Sequence, residues 1–322
     1  MSAGTKLWLG ATTQQFIQSR SGYQRRKIAN IAMLTLTGLF MLLALVPLFW
    51  IIGYVIYKGG QYLNLDFFIH MPRPLGMVGG GVLNAIEGTL VLTILASIFA
   101  VPPGVLAAYY VAYKPNSLLG VVVRFGTDVL AGVPSIVIGL FGYALIVKNQ
   151  GHYSALAGGI VLAILMLPTI IRTTEEMIKL VPYSLREGSL ALGSPEWRTA
   201  LSVTLPAASQ GIITGILLGV ARASGETAPL LFTALGNENY NLAKIVQAGV
   251  ANHRSIFAIL GNIIGQPVES LPLTLWKYAQ QPYPERINQS WAAGLVLMIL
   301  VLSLNIFTRL WVQSRSRRMR GK

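Results

Sequence analysis

Long apolar runs separated by short polar connectors set the pattern of this chain. The runs fall at roughly Ile31–Ile56, Leu83–Val111, Val122–Val147, Ala155–Ile171, Ile212–Ala234 and Trp291–Trp311. A helix needs about 20 apolar residues to cross hydrocarbon about 30 Å thick, and in lipid the backbone must satisfy its own hydrogen bonds. The pattern predicts an all-α membrane protein with six transmembrane helices. The fourth run is short and should continue into a polar helix. Residues 1–29 and 313–322 read as polar tails around a transmembrane domain over 30–312. The first run is too long for a signal-peptide core and lacks a small-residue cleavage site, so it is expected to remain as the first span. The longest connector, Leu235–Ser290, has turn-rich stretches at Gly265–Pro272 and Gln280–Pro284 around an amphipathic piece near Leu273–Tyr278. It is expected to lie along the outer face, where it could close the pathway or receive a partner.

The connector at 183–206 carries helix signals of its own. Ser184 with Glu187 three residues on predicts a capping box, and Gly193 a left-handed helix end. Ser194, Pro195 and Glu196 predict the start of a second helix. Trp197, Ala200, Leu201 and Thr204 would share one face of it, and Pro206 would close it. An ordered helix–bend–helix between two spans is expected to dock onto something outside the bilayer. Glu187, Gly193 six residues later, Val203, Leu205 and Pro206 resemble the EAA loop of ABC-importer permeases, with Gly188 and Ser189 in place of two alanines. In that family a separate ATPase grips this loop. The resemblance therefore implies a coupling role for Glu187, Gly188, Ser189, Gly193, Leu205 and Pro206.

Composition agrees with a membrane protein. Of 322 residues 53% are hydrophobic and 11% charged, with mean hydropathy +0.59, whereas a soluble domain carries about 25% charged residues. The net charge of +14 does not point to nucleic acid, because the cations cluster at the ends of the apolar runs. With the N-terminus inside, seventeen Lys and Arg fall on the inner side and seven on the outer. That bias predicts both termini in the cytoplasm, and it places 183–206 there too. The chain has no cysteine, which excludes disulfides and thiol ligands. His70, His152 and His253 are scattered in connectors, so no metal site is expected.

Charged residues within the apolar runs carry the candidate chemistry. Gly211, Gly215, Gly219, Ala223 and Thr227 recur every fourth residue and predict a narrow face for close helix packing. Beside that strip lie Arg222 and Glu226, four apart. A charge at mid-bilayer costs at least about 2.5–3.5 kcal/mol, so it normally faces a cavity or a partner. One reading is a structural ion pair that fixes register. The other is a contact for a passing anion, since a guanidinium meets phosphate or carboxylate oxygens at two points; Glu226 would then keep Arg222 in place. Arg172, just before Glu175 and Glu176, is either a second pathway arginine or an interfacial cation. Arg124 and Asp128 read as a structural i,i+4 pair. Glu87 receives no role.

The run from Ala221 to Phe232 (Ala-Arg-Ala-Ser-Gly-Glu-Thr-Ala-Pro-Leu-Leu-Phe) resembles the fifth span of PstA-type permeases, and Ser270–Ala279 resembles their outer loop. The likeness covers about 83–311. It implies a type I importer (MetI-like) permease half in the bacterial inner membrane. Its partners would be a PstC-like permease subunit, two copies of a PstB-like ATPase and a periplasmic PstS-like phosphate-binding protein, with membrane lipid around it and no nucleic acid. The resemblance also makes Arg222, with Glu226, and Arg172 phosphate-pathway residues. No Gly-x-x-x-x-Gly-Lys-Ser/Thr occurs, so no catalytic residue and no cofactor is expected here; ATP and Mg would be bound by the ATPase. Two alternatives stay open: the same architecture carrying another oxyanion or small solute, and an ATP-independent secondary transporter.

Overall fold

The computed structural model of the chain describes residues 4–74, 77 and 79–320, and divides into two compact units, 1–57 and 58–322. It is all-α. In chain order the helices are α1 (Gly4–Gly60), α2 (Leu65–Ile69), α3 (Leu83–Tyr113), α4 (Leu118–Gly132), α5 (Ser135–Gly142) and α6 (Lys148–Gln150), with a π-helical turn between the last two. There follow α7 (Ala155–Lys179), α8 (Tyr183–Ala191), α9 (Glu196–Thr199), a π-helical turn Ala200–Thr204 and α10 (Leu205–Ser224). The chain ends with α11 (Ala228–Thr233), α12 (Leu242–Ala251), α13 (Ile256–Gly265), α14 (Leu271–Ala279) and α15 (Pro284–Arg320). Among the described residues five helices are long and apolar enough to cross a membrane, and a bent pair raises the number to six if counted as one span.

That bent pair corrects the third expected span. Val122–Val147 is not one straight helix: Leu118–Gly132 and Ser135–Gln150 meet at 106°. The cause is Pro134. A proline drives the residue before it into the extended region, and Val133 is extended (φ −74°, ψ 130°). The fifth expected span, Ile212–Ala234, is also corrected. Its helix ends at Ser224, Gly225–Thr227 breaks it, and α11 is a separate turn and a half. At its other end the helix starts earlier, running unbroken over Glu196–Ser224. Pro206 therefore does not close a helix; it lies inside this continuous stretch, directly after the π turn Ala200–Thr204 and Leu205. The connector 235–290 holds two apolar helices, α12 and α13, that its reading as a loop overlooked. Each has ten residues, about half of what a span needs.

The core of the 58–322 unit is α7, which packs along α3 on one side and α10 on the other. Small residues allow the close approach: Ala96, Ala100 and Ala108 of α3 are fully buried, and Gly104 faces Ile170 of α7. Beyond the far ends of these helices, segments 234–241 and 265–279 form a cap. Leu271, Leu273, Tyr240, Tyr278 and Val268 are buried in it, and Leu235 bridges to Val268. Backbone bonds tie the cap down, with Ser154 N donating to Thr233 O (3.1 Å) and Ala155 N to Gln266 O (2.8 Å).

Candidate functional site

The elbow at 183–206 is built by backbone capping. Pro182, not Ser184, precedes α8 as its N-cap, and no side chain caps it; Ser184 lies inside the helix, so the expected capping box does not form. The helix ends in a Schellman motif: Gly193 N donates to Leu190 O (2.9 Å) and Ser194 N to Ser189 O (3.2 Å), with Gly193 at φ 81°. Pro195, not Ser194, is the N-cap of α9, and Glu196 occupies its first turn. The wide π turn then rotates the side chains. Ala200 and Thr204 turn inward and are buried, while Trp197 and Leu201 stay about 60% exposed, so the four do not share one face. Glu187, Gly188, Gly193 and Pro206 are exposed. Ser189 bonds the two arms together through Thr199 (Oγ to Oγ1, 2.9 Å). Leu205 packs with Ile178, Ala208 and Ile212.

Arg186 was not singled out from the sequence, yet it is the elbow's most enclosed charge. Its side chain is 14% exposed on a helix with no fully buried residue. Its guanidinium lies 4.5 Å from the Tyr113 ring centroid and 3.3 Å from Glu196 across the bend.

Within the bundle, α10 runs antiparallel to α7. A Cβ at Gly211 would meet Met177, one at Gly215 would stand 1.9 Å from Thr173 Oγ1, and one at Gly219 would touch Ile170. Arg222 follows in the last turn of α10, and Glu226 lies beyond the helix end, with Nε to Oε1 at 3.5 Å. The two are thus not on one helix; the pair spans the break at Gly225. Glu226 is 18% exposed and Arg222 45%, which leaves the guanidinium open on one side.

The charges on α4 and α7 pair differently from their sequence spacing. Arg124 and Asp128 do not bond each other. Arg124 pairs with Glu175, and Asp128 with Arg172. Lys179 joins Glu175 at 2.5 Å. The helices α4 and α7 are antiparallel, so Arg124-x3-Asp128 on one meets Arg172-x2-Glu175 on the other with opposite charges in register. Reading the two motifs in opposite directions would have exposed this match in the sequence. Arg124, Asp128, Arg172 and Glu175, with Thr127, Ile171 and Glu176, line a pocket of about 240 Å3. The guanidinium of Arg172 is half exposed in it.

The cap holds the other charges. Glu87, unassigned from the sequence, accepts from Leu242 N (2.7 Å) at the start of α12. Glu269 is 2% exposed and bonded to Lys277 at 3.0 Å. Burial pushes its carboxyl up, against the opposing pull of Lys277. No group of His, Asp and Glu that could hold a metal occurs among the described residues.

Residues 100–321 match the family described as "Binding-protein-dependent transport system inner membrane component". The phosphate transport system permease protein PstA of Yersinia pestis is 40% identical over 300 residues, covering 93% of this chain and 94% of that protein. PstA of Pasteurella multocida is 38% identical over 93% of this chain and all of its own length. A chain of the MetNI methionine ABC transporter, solved in inward-facing conformations, superposes with TM-score 0.54 at 17% identity, covering 72% of this chain and 95% of that one. The last is a likeness of fold. On near-full-length identity, the chain belongs to the inner-membrane components of binding-protein-dependent transport systems and, within them, to the PstA permeases.

Proposed function

We propose that the chain imports inorganic phosphate, as one of two membrane halves of an ATP-driven transporter. The observation that carries this reading is identity of about 40% to PstA permeases across nearly the whole chain. The exposed elbow around Glu187, Gly188, Ser189 and Gly193, with Leu205 and Pro206 at its far arm, is the coupling surface for the ATPase. A PstC-like subunit completes the bundle, two PstB-like ATPases sit at the elbow, and a PstS-like protein delivers phosphate at the cap. Both termini then lie in the cytoplasm. ATP and Mg are bound by the ATPase, and this chain carries no nucleotide site.

In this reading phosphate passes Arg222, which Glu226 holds from the helix break. It then meets Arg172, which can exchange Asp128 for the anion. A carboxylate partner lowers the cost of a buried guanidinium while remaining displaceable by a dianion. The antiparallel register puts Arg222 about two turns of α10 nearer the cap than the level of Arg172, so the two are met in succession.

The test is uptake of radiolabelled phosphate by bacteria lacking their own phosphate-importer permeases, supplied with this chain and its three partner proteins. Restored uptake at micromolar phosphate supports the reading. Uptake of sulfate or molybdate in place of phosphate defeats the substrate; uptake without the ATPase defeats the class.

A further inference from the structure

Helix α3 touches the elbow at one end and the cap at the other. At the elbow end the contact runs through Tyr113, its last helical residue, with the Tyr109 ring tilted behind it at 4.9 Å between centroids and also near Arg186. The Tyr113 ring lies under the Arg186 guanidinium at 4.5 Å, and its hydroxyl donates to Thr204 Oγ1 at 3.4 Å. Arg186 belongs to α8; Thr204, fully buried, belongs to the π turn after α9. Arg186 also reaches Glu196 of α9 at 3.3 Å and donates to Tyr183 Oη at 3.4 Å. One aromatic ring therefore grips both arms of the elbow, and one guanidinium braces those arms against each other.

At the cap end four residues in the first two turns of α3 make the contact. Asn84 Nδ2 donates to Asn237 O (3.3 Å), Glu87 accepts from Leu242 N (2.7 Å), and Thr89 Oγ1 accepts from Leu271 N (2.9 Å). Gly88 lies so close to the Glu269 carbonyl that a Cβ there would stand 1.9 Å from it. Between the ends α3 is an unbroken helix of 31 residues, about 46 Å long.

We propose that Arg186 and Tyr113 form the joint through which displacement of the elbow enters α3, and that α3 carries it to the cap. Arg186 is a positioning residue: it acts through Tyr113 and Glu196. The fit is specific to a guanidinium, because a flat cation stacks on the ring while separate nitrogens reach Glu196 and Tyr183, whereas an ammonium does one at a time. The proposal rests on the elbow being the ATPase-coupled element.

The experiment uses the complete transporter in vesicles, with phosphate moved per ATP hydrolysed as the readout and assembly checked by co-purification. Arg186→Lys and Tyr113→Leu should each lower that ratio about fivefold or more, with ATP hydrolysis and assembly retained. Tyr113→Phe, which keeps the ring under Arg186 and loses the bond to Thr204, should lower the ratio less than Tyr113→Leu. A merely structural joint would lower yield and leave the ratio unchanged. An unchanged ratio in Arg186→Lys overturns the proposal, and Arg186→Lys decides alone if Tyr113→Leu fails to assemble. The parent reading fails separately: there, Glu187→Ala and Gly193→Val would leave both ATPase docking and the ratio intact. If those two uncouple while the Arg186 and Tyr113 variants do not, only the joint is wrong.

Discussion

Single side chains in this bundle are held by what faces them on the next helix, more than by sequence neighbours. Arg222 and Arg172 illustrate two degrees of freedom. Among the described residues Arg222 is paired with one oxygen of Glu226, at 3.5 Å, and the proposed pathway gives its other donors to the anion. Arg222→Gln should cut phosphate uptake about 10- to 100-fold with the complex intact, the range expected for losing a hydrogen bond to a charged group; co-purification and uptake measured together check it. Arg172 is bound to Asp128, so removing either leaves a charge behind. Exchanging both, as Arg172→Asp with Asp128→Arg, should restore assembly lost in the single variants but not uptake. Restored uptake would show that the pair only staples α4 to α7. Tyr240 shows burial acting on a titratable group in the cap. Its hydroxyl is pushed up to about 12, so the folded state resists ionisation that the unfolded chain permits at about 10. Stability should therefore fall as pH rises from about 10 to 12. Tyr240→Phe should flatten part of that fall in alkaline thermal melts, while buried Tyr278, also pushed up, keeps the rest.

Elements in this chain were legible where a periodic signal ran uninterrupted. The second span was expected at Leu83–Val111 and forms Leu83–Tyr113, despite Pro102 and Pro103, because neighbouring turns tolerate a missing donor within a long helix. The polar continuation of the fourth span was expected and runs to Lys179. Breaks were less legible. An isolated proline does not announce whether it bends a helix slightly or by 106°, and Pro134 differs from Pro47 and Pro168, which remain inside helices. The helices α12 and α13 were missed because ten apolar residues fall below the length used to recognise a span. The candidate residues were legible as types: Arg222, Glu226 and Arg172 stand out as charges within oil. Their partners were not, since pairing between α4 and α7 depends on antiparallel register. The glycine strip of α10 is where size matters most. Gly215→Val should destabilise the detergent-solubilised complex by about 1–3 kcal/mol through overpacking against Thr173. Thr173→Ala should return part of that loss in a thermal-shift measurement. Gly188→Ala meets nothing within 4 Å and should leave the melting temperature unchanged.

At the scale of the molecule, the 58–322 unit keeps its fixed contacts around α7 and places its exposed polar features at opposite ends. Continuity of one element has a mechanical corollary. The helix that begins at Glu196 in the elbow does not stop at Pro206 but reaches Ser224 without interruption, over a stretch of 29 residues. From Glu196 to Arg222 is about 39 Å along its axis. Whatever twists this spindle beyond its π turn at Ala200–Thr204 turns the guanidinium near its tip with it; the slack lies at that turn and past the tip, at Gly225–Thr227. A stroke passed beyond that turn would thus sweep Arg222 around the axis relative to Glu226, making or breaking their contact as a matter of geometry.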